Sequence, residues 1–576
     1  MLRWADVRNV DRMNKAKQKL QEQEKEMSAS NLDDDHLVIS PTFGSVSEFF
    51  FLTLRCLHKC NLKHILAVAI ECSNNCFKLS RDPSILESGD ARGEAAALVA
   101  RKLGYDVLLA DGDMHIRLLQ FARAVSLGIL RMSNTSDMLL PLQLPPTALF
   151  SSMPEFIADS VKDLLEFIAQ VNIEALGSLP WQHLNDIVNL AVVVSYSASH
   201  FRNPYTRGGF LKFLFMLLPP KDGGWRNRTA GLLDGLFESS FSLKNHLVPA
   251  VLRFYVDIEM SGSHTAFYDR FEYRHYCARL IEHVWPITCY RQQFLAISRE
   301  PEGLVRFVNM VINDSIWSLD EAFSKILEIK EMQEDQPNWV TLSAEDRAQK
   351  EKTLKRNEDN CRYLMNLVTE TLGTIRMLTE ELRDCFLTVE MADRFAAMLN
   401  GMIGQMAGPN IGQYKLKDAA SLNFEPRALI VTLLSIYCNF ADDKRLSEAM
   451  ARDERYFKPQ HFQKASNIVR QRGLLLSESI DAFDAIVREA QACSAMNESD
   501  DTLYADAPGA TKRPPFPAPS TPRRVFHFIR KRRRVPRPHH GHSHAQAGSA
   551  ARQRQRGGLR CHQGAAAHCS SAITVF

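Results

Sequence analysis

Four cysteines near the N-terminus have the first spacing that could do chemistry. Cys56 and Cys60 stand in "CLHKC" and Cys72 and Cys76 in "CSNNC", with His58 and His64 close by. Zinc needs four converging N or S ligands, usually presented by tight turns. Here each pair is four apart in an apolar, helix-patterned run, which packs small thiols on a helix face as readily as it builds a ligand set. A second candidate is "SYSASH", which holds Ser195, Ser197, Ser199 and His200. A hydroxyl nucleophile needs a base, an acid that orients the base and usually a strained turn. No G-x-S-x-G stands here, so a helix face or helix end is the expectation. The acids of "DDDH" (Asp33–His36) suit a solvated cap better than a cation site. "CHQGAAAHC" (Cys561–Cys569) has ligand types without a fold to converge them. Phosphate-cradling glycine loops, G-x-G-x-x-G and H-E-x-x-H do not occur. No residue is therefore assigned to catalysis, cofactor binding or a metal, and no cofactor is expected. The chain reads as a binding scaffold, or as an enzyme whose catalysis is borrowed.

The elements that would position such residues are helices. In "SSMPEFIADSVKDLLEFIAQV", Pro154 stands where a first-turn proline is tolerated, and Val161, Leu164, Leu165 and Ile168 fall at i, i+3, i+4 and i+7. Asp113–Met132 has similar periodicity. Ser343 and Asp346 have capping-box spacing before a long helical stretch. "LNFEPRALIVTLLSIYCNF" and "SESIDAFDAIVREAQ" also read as helices, and strand signals are nearly absent. The apolar stripes are broad, so many helices are expected to be buried on two sides, as in stacked pairs. No fixed sequence period occurs, so any repeat is structural. Loops are expected at Ser30–His36, Ser80–Glu94, Pro219–Asn227, Glu334–Asn338 and Ala407–Asp418.

Charge divides the chain. Of 576 residues, 45% are apolar and 24% charged, which is ordinary globular content. From Ala507 onward there are 14 Lys/Arg and no acid, so the first 506 residues carry 56 basic and 67 acidic side chains, a net of −11. An acidic body disfavours nucleic acid as its partner, because neutralising phosphate needs a basic surface. The apolar runs are too short or too interrupted to span a bilayer, the first residues lack a secretory signal, and scattered cysteines suit a reducing compartment.

Several long stretches carry a resemblance. They are "FRNPYTRGGFLKFLF", "LRFYVDIEMSGSHTAFYDRFEYR", "LVRFVNMVINDSIWSLDEAFSKILEI", "LTEELRDCFLTVEMADRFAAMLNGMIGQMAGP", "YKLKDAASLNFEPRALIVTLLSIYCNF" and "ARDERYFKPQHFQKA". In order, from Phe43 to Ala495, they resemble the core of the ubiquitin conjugation factors that elongate ubiquitin chains, the fourth enzyme class of that pathway. Each stretch also has a physical reading. Asn203 can cap a helix that Pro204 begins. Phe254, Tyr255, Phe267, Tyr268, Phe271 and Tyr273 flank a Gly/Ser turn and would cement one helix pair to the next. Ala396 and Ala397 permit close helix approach. Asp393 and Arg394 are expected to brace helices, not to bind a ligand.

The resemblance implies an all-α, elongated superhelix of armadillo-like repeats over residues 43–500, after a charged helix and loop at 1–42. It implies a U-box after the core, which docks the ubiquitin-charged conjugating enzyme. The core is implied to bind ubiquitylated substrates, proteasome-shuttle adaptors and an AAA ATPase segregase. Degradation by the proteasome, including that of proteins from the endoplasmic reticulum, in cytoplasm and nucleus is implied as well. Chemistry would be aminolysis of a thioester on the conjugating enzyme, with the factor supplying proximity. Residues 507–576 depart from this pattern. They hold 8 Pro and 7 His and lack the Asp-Pro-Leu-type elements of a U-box. A disordered basic tail is expected there, arising from a shifted frame or altered splice just after Pro508, and the chain by itself is expected not to extend ubiquitin. "RKRRRVPRPHH" within it resembles an import or polyanion-binding run. Met1 is not expected to be the natural start. Two other readings are a helical scaffold without ligase activity and a nuclear-transport-like solenoid. The second fits the fold and acidity but not the motifs.

Overall fold

A computed structural model describes residues 62–81, 89–133, 140–151, 153–219, 233, 235–260, 266–300, 302–416 and 418–505, with Leu52, Thr53 and Cys56. Every regular element among them is helical. The helices of nine residues or more are α1 (Leu62–Arg81), α2 (Gly89–Leu109), α3 (Gly112–Met132), α4 (Phe156–Val171), α5 (Trp181–Tyr196), α6 (Pro204–Met216), α7 (Phe241–Asp257) and α8 (Ala266–Val284). They continue with α9 (Thr288–Ser298), α10 (Val305–Asp335), α11 (Ala344–Thr379), α12 (Ala392–Ala407), α13 (Pro426–Cys438), α14 (Lys444–Arg452), α15 (Pro459–Arg472) and α16 (Ser477–Ala505).

Local sequence sets many of these boundaries. The Asp111 carboxylate accepts from the Met114 amide at the start of α3. Asn203 accepts from the Tyr205 amide ahead of Pro204 in α6, as the "RNPY" spacing predicts. Ser343 accepts from the Asp346 amide at 3.1 Å and opens α11. Gly473, at φ +59°, closes α15 in the left-handed conformation that glycine adopts without strain.

The helices pack in two rows. In one row α3 touches α5, α5 touches α7, α7 touches α10 and α10 touches α12. In the other, α4, α6, α8, α11, α13 and α15 pack successively. Cross-row pairs α3–α4, α5–α6, α7–α8, α10–α11 and α12–α13 close each layer. This explains the broad apolar stripes. Central helices meet a neighbour before, after and across, so α5 is buried without interruption from Ile187 to Ser195. Polar links tie the steps together. Arg123 pairs with Asp186 at 2.6 Å between α3 and α5, and Ser240 donates to Asn185 at 2.9 Å between the start of α7 and α5. Residues through Asp500 form one contact unit. Asp501–Phe576 form another, of which only the end of α16 is described.

Several expected loops shrink. α1 runs to Arg81 and α2 begins at Gly89, so most of Ser80–Glu94 is helical at its edges. Glu334 and Asp335 end α10, Gln336–Thr341 is a 3-10 turn, and Pro409–Tyr414 is another. Pro154 precedes α4 instead of lying in its first turn, and its carbonyl accepts from Ile157. Ser30–His36, Pro219–Asn227 apart from Pro219 itself, the segment 1–42 and the tail 507–576 lie outside the described residues.

Candidate functional site

The sequence candidates for chemistry do not converge. Ser195 is buried in α5 and donates back to the Ala191 carbonyl at 2.7 Å. Ser197 is buried with its hydroxyl unpartnered, and Ser199 is exposed. His200 packs edge-on to Phe150 at 5.1 Å, burial pulls its pKa down, and its Nδ1 finds no hydrogen bond. With no acid hydrogen-bonded to Nδ1 among the described residues, these groups end a helix and lack the orienting partner that an activated nucleophile needs. Cys72 is buried and Cys76 half-buried one turn apart on α1, where burial raises the Cys76 thiol. Cys56 is exposed, while Cys60, His58, Asp33–His36 and Cys561–Cys569 lie outside the described residues, as does the His64 side chain. Among the described residues, no three His, Cys, Asp or Glu side chains are grouped to hold a metal ion.

The motif stretches do converge, on a buried ionic seam where α7, α8 and α10 meet. Arg274 of α8 is 2% exposed, which obliges it to be paired. Its guanidinium donates to Asp314 of α10 at 2.5 Å, to Glu259 at 2.9 Å and to the Tyr255 carbonyl at 3.3 Å. The Tyr255 hydroxyl donates to the other Asp314 oxygen at 2.7 Å, and Arg270 donates to Glu259 at 2.7 Å. Burial pushes the Asp314 carboxyl up while Arg274 pulls it down. For Arg274, burial is outweighed by Asp314, Tyr255 and Glu259, which hold it above its ordinary value. Burial also drives the Tyr255 phenol well up, so it is a hydrogen-bond donor and not a base. Rings close the seam: Phe271 stacks on Trp317 at 4.5 Å, and Tyr255 meets Phe307 edge-on at 5.0 Å.

The other motifs serve the same packing. Arg207 of "RNPYTRGGF" donates to Asp257 at 2.9 Å and lies over Phe254. A Cβ on Gly208 would stand 2.6 Å from the Tyr273 ring, so the close approach of α6 to α8 requires glycine there. Asp393 pairs with Arg452 of α14 at 2.6 Å and Arg394 donates to Asn313 of α10, so this pair braces helices. Buried Asn400 donates to Asp453 at 2.9 Å and accepts from Tyr437 at 3.0 Å. The sequence reading found the aromatics but missed the Arg274–Asp314 pair. Its signal was present, because both charges fall on apolar helix faces, three residues after Phe271 and Val311 respectively.

The family described as the ubiquitin elongating factor core fits residues 2–491. The chain belongs to that family. It is 30% identical over 476 residues to a probable ubiquitin conjugation factor E4 of Arabidopsis thaliana, covering 79% of this chain and 45% of the relative. It is 26% identical over 408 residues to ubiquitin conjugation factor E4 A of Bos taurus, covering 68% and 38%. It is 26% identical over 366 residues to the E4 ubiquitin-protein ligase UFD2 of Saccharomyces cerevisiae, covering 62% and 38%. The chain thus spans less than half the length of these relatives. The elongating factor core is all-helical over its described residues, and its motif residues build its interior.

Proposed function

We propose that the chain is the scaffold of a ubiquitin-chain elongation factor. It holds a ubiquitylated substrate so that ubiquitin carried by a conjugating enzyme reaches the growing chain. The observation that carries this reading is the family match over residues 2–491, on a body whose motif residues are committed to packing. Relatives named as conjugation factors and as a ubiquitin-protein ligase support the transferase class. Positioning is the chemistry that such a body can supply, because holding two reactants replaces a bimolecular encounter. Docking of the conjugating enzyme belongs to a U-box. Residues 507–576 do not resemble one, so this chain alone is inactive in extension. Substrate, shuttle adaptors and an AAA ATPase segregase are its partners, and cytoplasm and nucleus its compartments.

The test is a reconstituted reaction with activating enzyme, conjugating enzyme and mono-ubiquitylated substrate. The 576-residue chain is expected to bind the substrate and leave chain length unchanged, and a fusion of residues 1–506 to an intact U-box is expected to lengthen chains. Robust chain growth with the unfused chain would contradict the division of labour. Failure of the fusion to bind or extend would contradict the scaffold reading.

A further inference from the structure

α1 and α2 stand at the N-terminal end of the described stack, and α2 packs on α1. None of the described side chains of α2 is buried. With about 3.6 residues per turn, the half-buried Leu98, Lys102, Tyr105, Asp106 and Leu109 mark the side against α1. The opposite half of the helix is exposed and apolar. It presents Val99 (46% exposed), Leu103 (57%) and Val107 (75%), with exposed Ala96, Ala100 and Gly104 beside them. Ala97 and Leu108 widen this face toward Arg101. A Cβ on Gly104 would meet nothing within 4 Å, so the face lies bare. Glu94 and Arg101 border it on one edge, and the Lys102–Asp106 pair, at 2.5 Å, borders the other.

The end unit of a helical stack has no next unit to cover it, so its outer side ordinarily carries charge. Here the solvent side of α2 is uncharged from Ala96 to Leu108. Two ridges run along it. Val99, Leu103 and Val107 form a large one, four residues apart, and Ala96, Ala100 and Gly104 form a small one at the same spacing. Ridges at this spacing interdigitate in the commonest class of helix pairing. A twofold axis between residues 101 and 102 sets Leu103 of one copy on Ala100 of the other, Val99 on Gly104 and Val107 on Ala96. One axis thus fits all three large-on-small pairs, which is the self-complementarity that an isologous contact demands.

We propose that the outer face of α2 pairs with the same face of a second copy of this chain, antiparallel about that axis. Charge permits the pairing at this end. Residues 62–133 carry nine Lys/Arg and eight Asp/Glu, a net of +1, against −11 for the first 506 residues. Two N-terminal ends therefore meet without the repulsion that the acidic remainder exerts. Each side chain counts twice across a twofold axis, so a few apolar anchors carry the contact. Three helical turns cover less than the roughly 800 Å² per partner of a standard interface, so the dimer is weak and dissociates on dilution. The pairing stands apart from the scaffold reading above, and neither rests on the other.

The test is sedimentation equilibrium of the full chain over a range of concentrations. The mass is expected to rise from one chain toward two as concentration increases. Leu103→Glu combined with Val107→Glu is expected to weaken the dimer roughly tenfold or more. Ala100→Leu fills the small ridge and is expected to weaken it too, although it adds apolar surface, an outcome that unspecific adhesion would reverse. All three positions are exposed, so helix content and melting temperature of both variants at low concentration should match the native chain. Where the doubly charged variant fails this check, Ala100→Leu alone carries the test. A chain that stays monomeric at every concentration overturns the proposal, as does a dimer that no substitution weakens. Amide exchange on α2 that slows as concentration rises supports it. Protection that is the same at all concentrations shows that a segment of the same chain covers the face, and overturns it.

Discussion

Arg274 and Asp314 are two charges taken from water in the middle of a helical stack, and each is held there by the other, with Glu259 and Tyr255 completing the seam. Asp314→Asn is expected to cost about 3 kcal/mol, because it removes the buried counter-charge of Arg274 and leaves only the partly exposed Glu259 opposite it. Replacing both with apolar residues, as in Arg274→Met with Asp314→Leu, should recover part of that loss in chemical unfolding. Additive losses would show that the two do not act as a pair. A neighbouring contact responds to pH. His275 of α8 faces Glu370 of α11 at 2.8 Å, with Glu272 and Glu282 on its own helix. Burial alone would lower its pKa, but the bond to Glu370 and these carboxylates outweigh it and leave it raised. A raised folded pKa gives stability that is full below the unfolded value of about 6.5 and is lost as pH rises through the folded value. The stability gap between the native chain and His275→Gln should therefore be larger at pH 6 than at pH 9. A gap independent of pH would contradict the charge assignment. At this scale the sequence showed which residue types sit in apolar patterns, but partners 40 to 95 positions apart, such as Arg274–Asp314 and His275–Glu370, are set by which helices stack.

Elements were the most legible level, and the reason is periodicity. α3 was expected over Asp113–Met132 and spans Gly112–Met132, and the Ser343 cap of α11 follows from its spacing to Asp346. The misses lie where short turns replace apolar pattern. "EDQPN" has the composition of a loop, yet Glu334 and Asp335 end α10 and the rest is a 3-10 turn, where Asp335 accepts from the Trp339 indole and from Lys350 fifteen residues away. Glycine placement separates the two kinds of helix surface. Gly208→Ala would put a methyl group 2.6 Å from Tyr273 and 2.8 Å from Phe254, so it is expected to cost about 1–3 kcal/mol. On α2, a Cβ at Gly104 would meet nothing within 4 Å. Gly104→Ala should therefore raise stability by about 0.5–1 kcal/mol through helix propensity. Thermal melts of the two variants should move in opposite directions, and equal shifts would contradict the close packing of α6 on α8.

At the scale of the molecule, two rows of helices distribute the motif residues along a continuous interior, and function falls to the surfaces this interior holds in place. The all-α class was legible because helix periodicity recurs along the chain and strand signals are nearly absent. The stacking into rows was legible only as broad apolar stripes, since the step from one pair to the next has no fixed length in sequence. The family resemblance, spread from Phe43 to Ala495, agrees with the match to the ubiquitin elongating factor core over residues 2–491. The role proposed for this body is to hold elongation partners without performing the transfer. Its most direct test is competition: an intact conjugation factor of the family extends chains on a mono-ubiquitylated substrate while the 576-residue chain is added in increasing amount. The account predicts a dose-dependent fall in chain length that excess substrate reverses. Chain growth that is unaffected by a large excess of the chain, or accelerated by it, would contradict it.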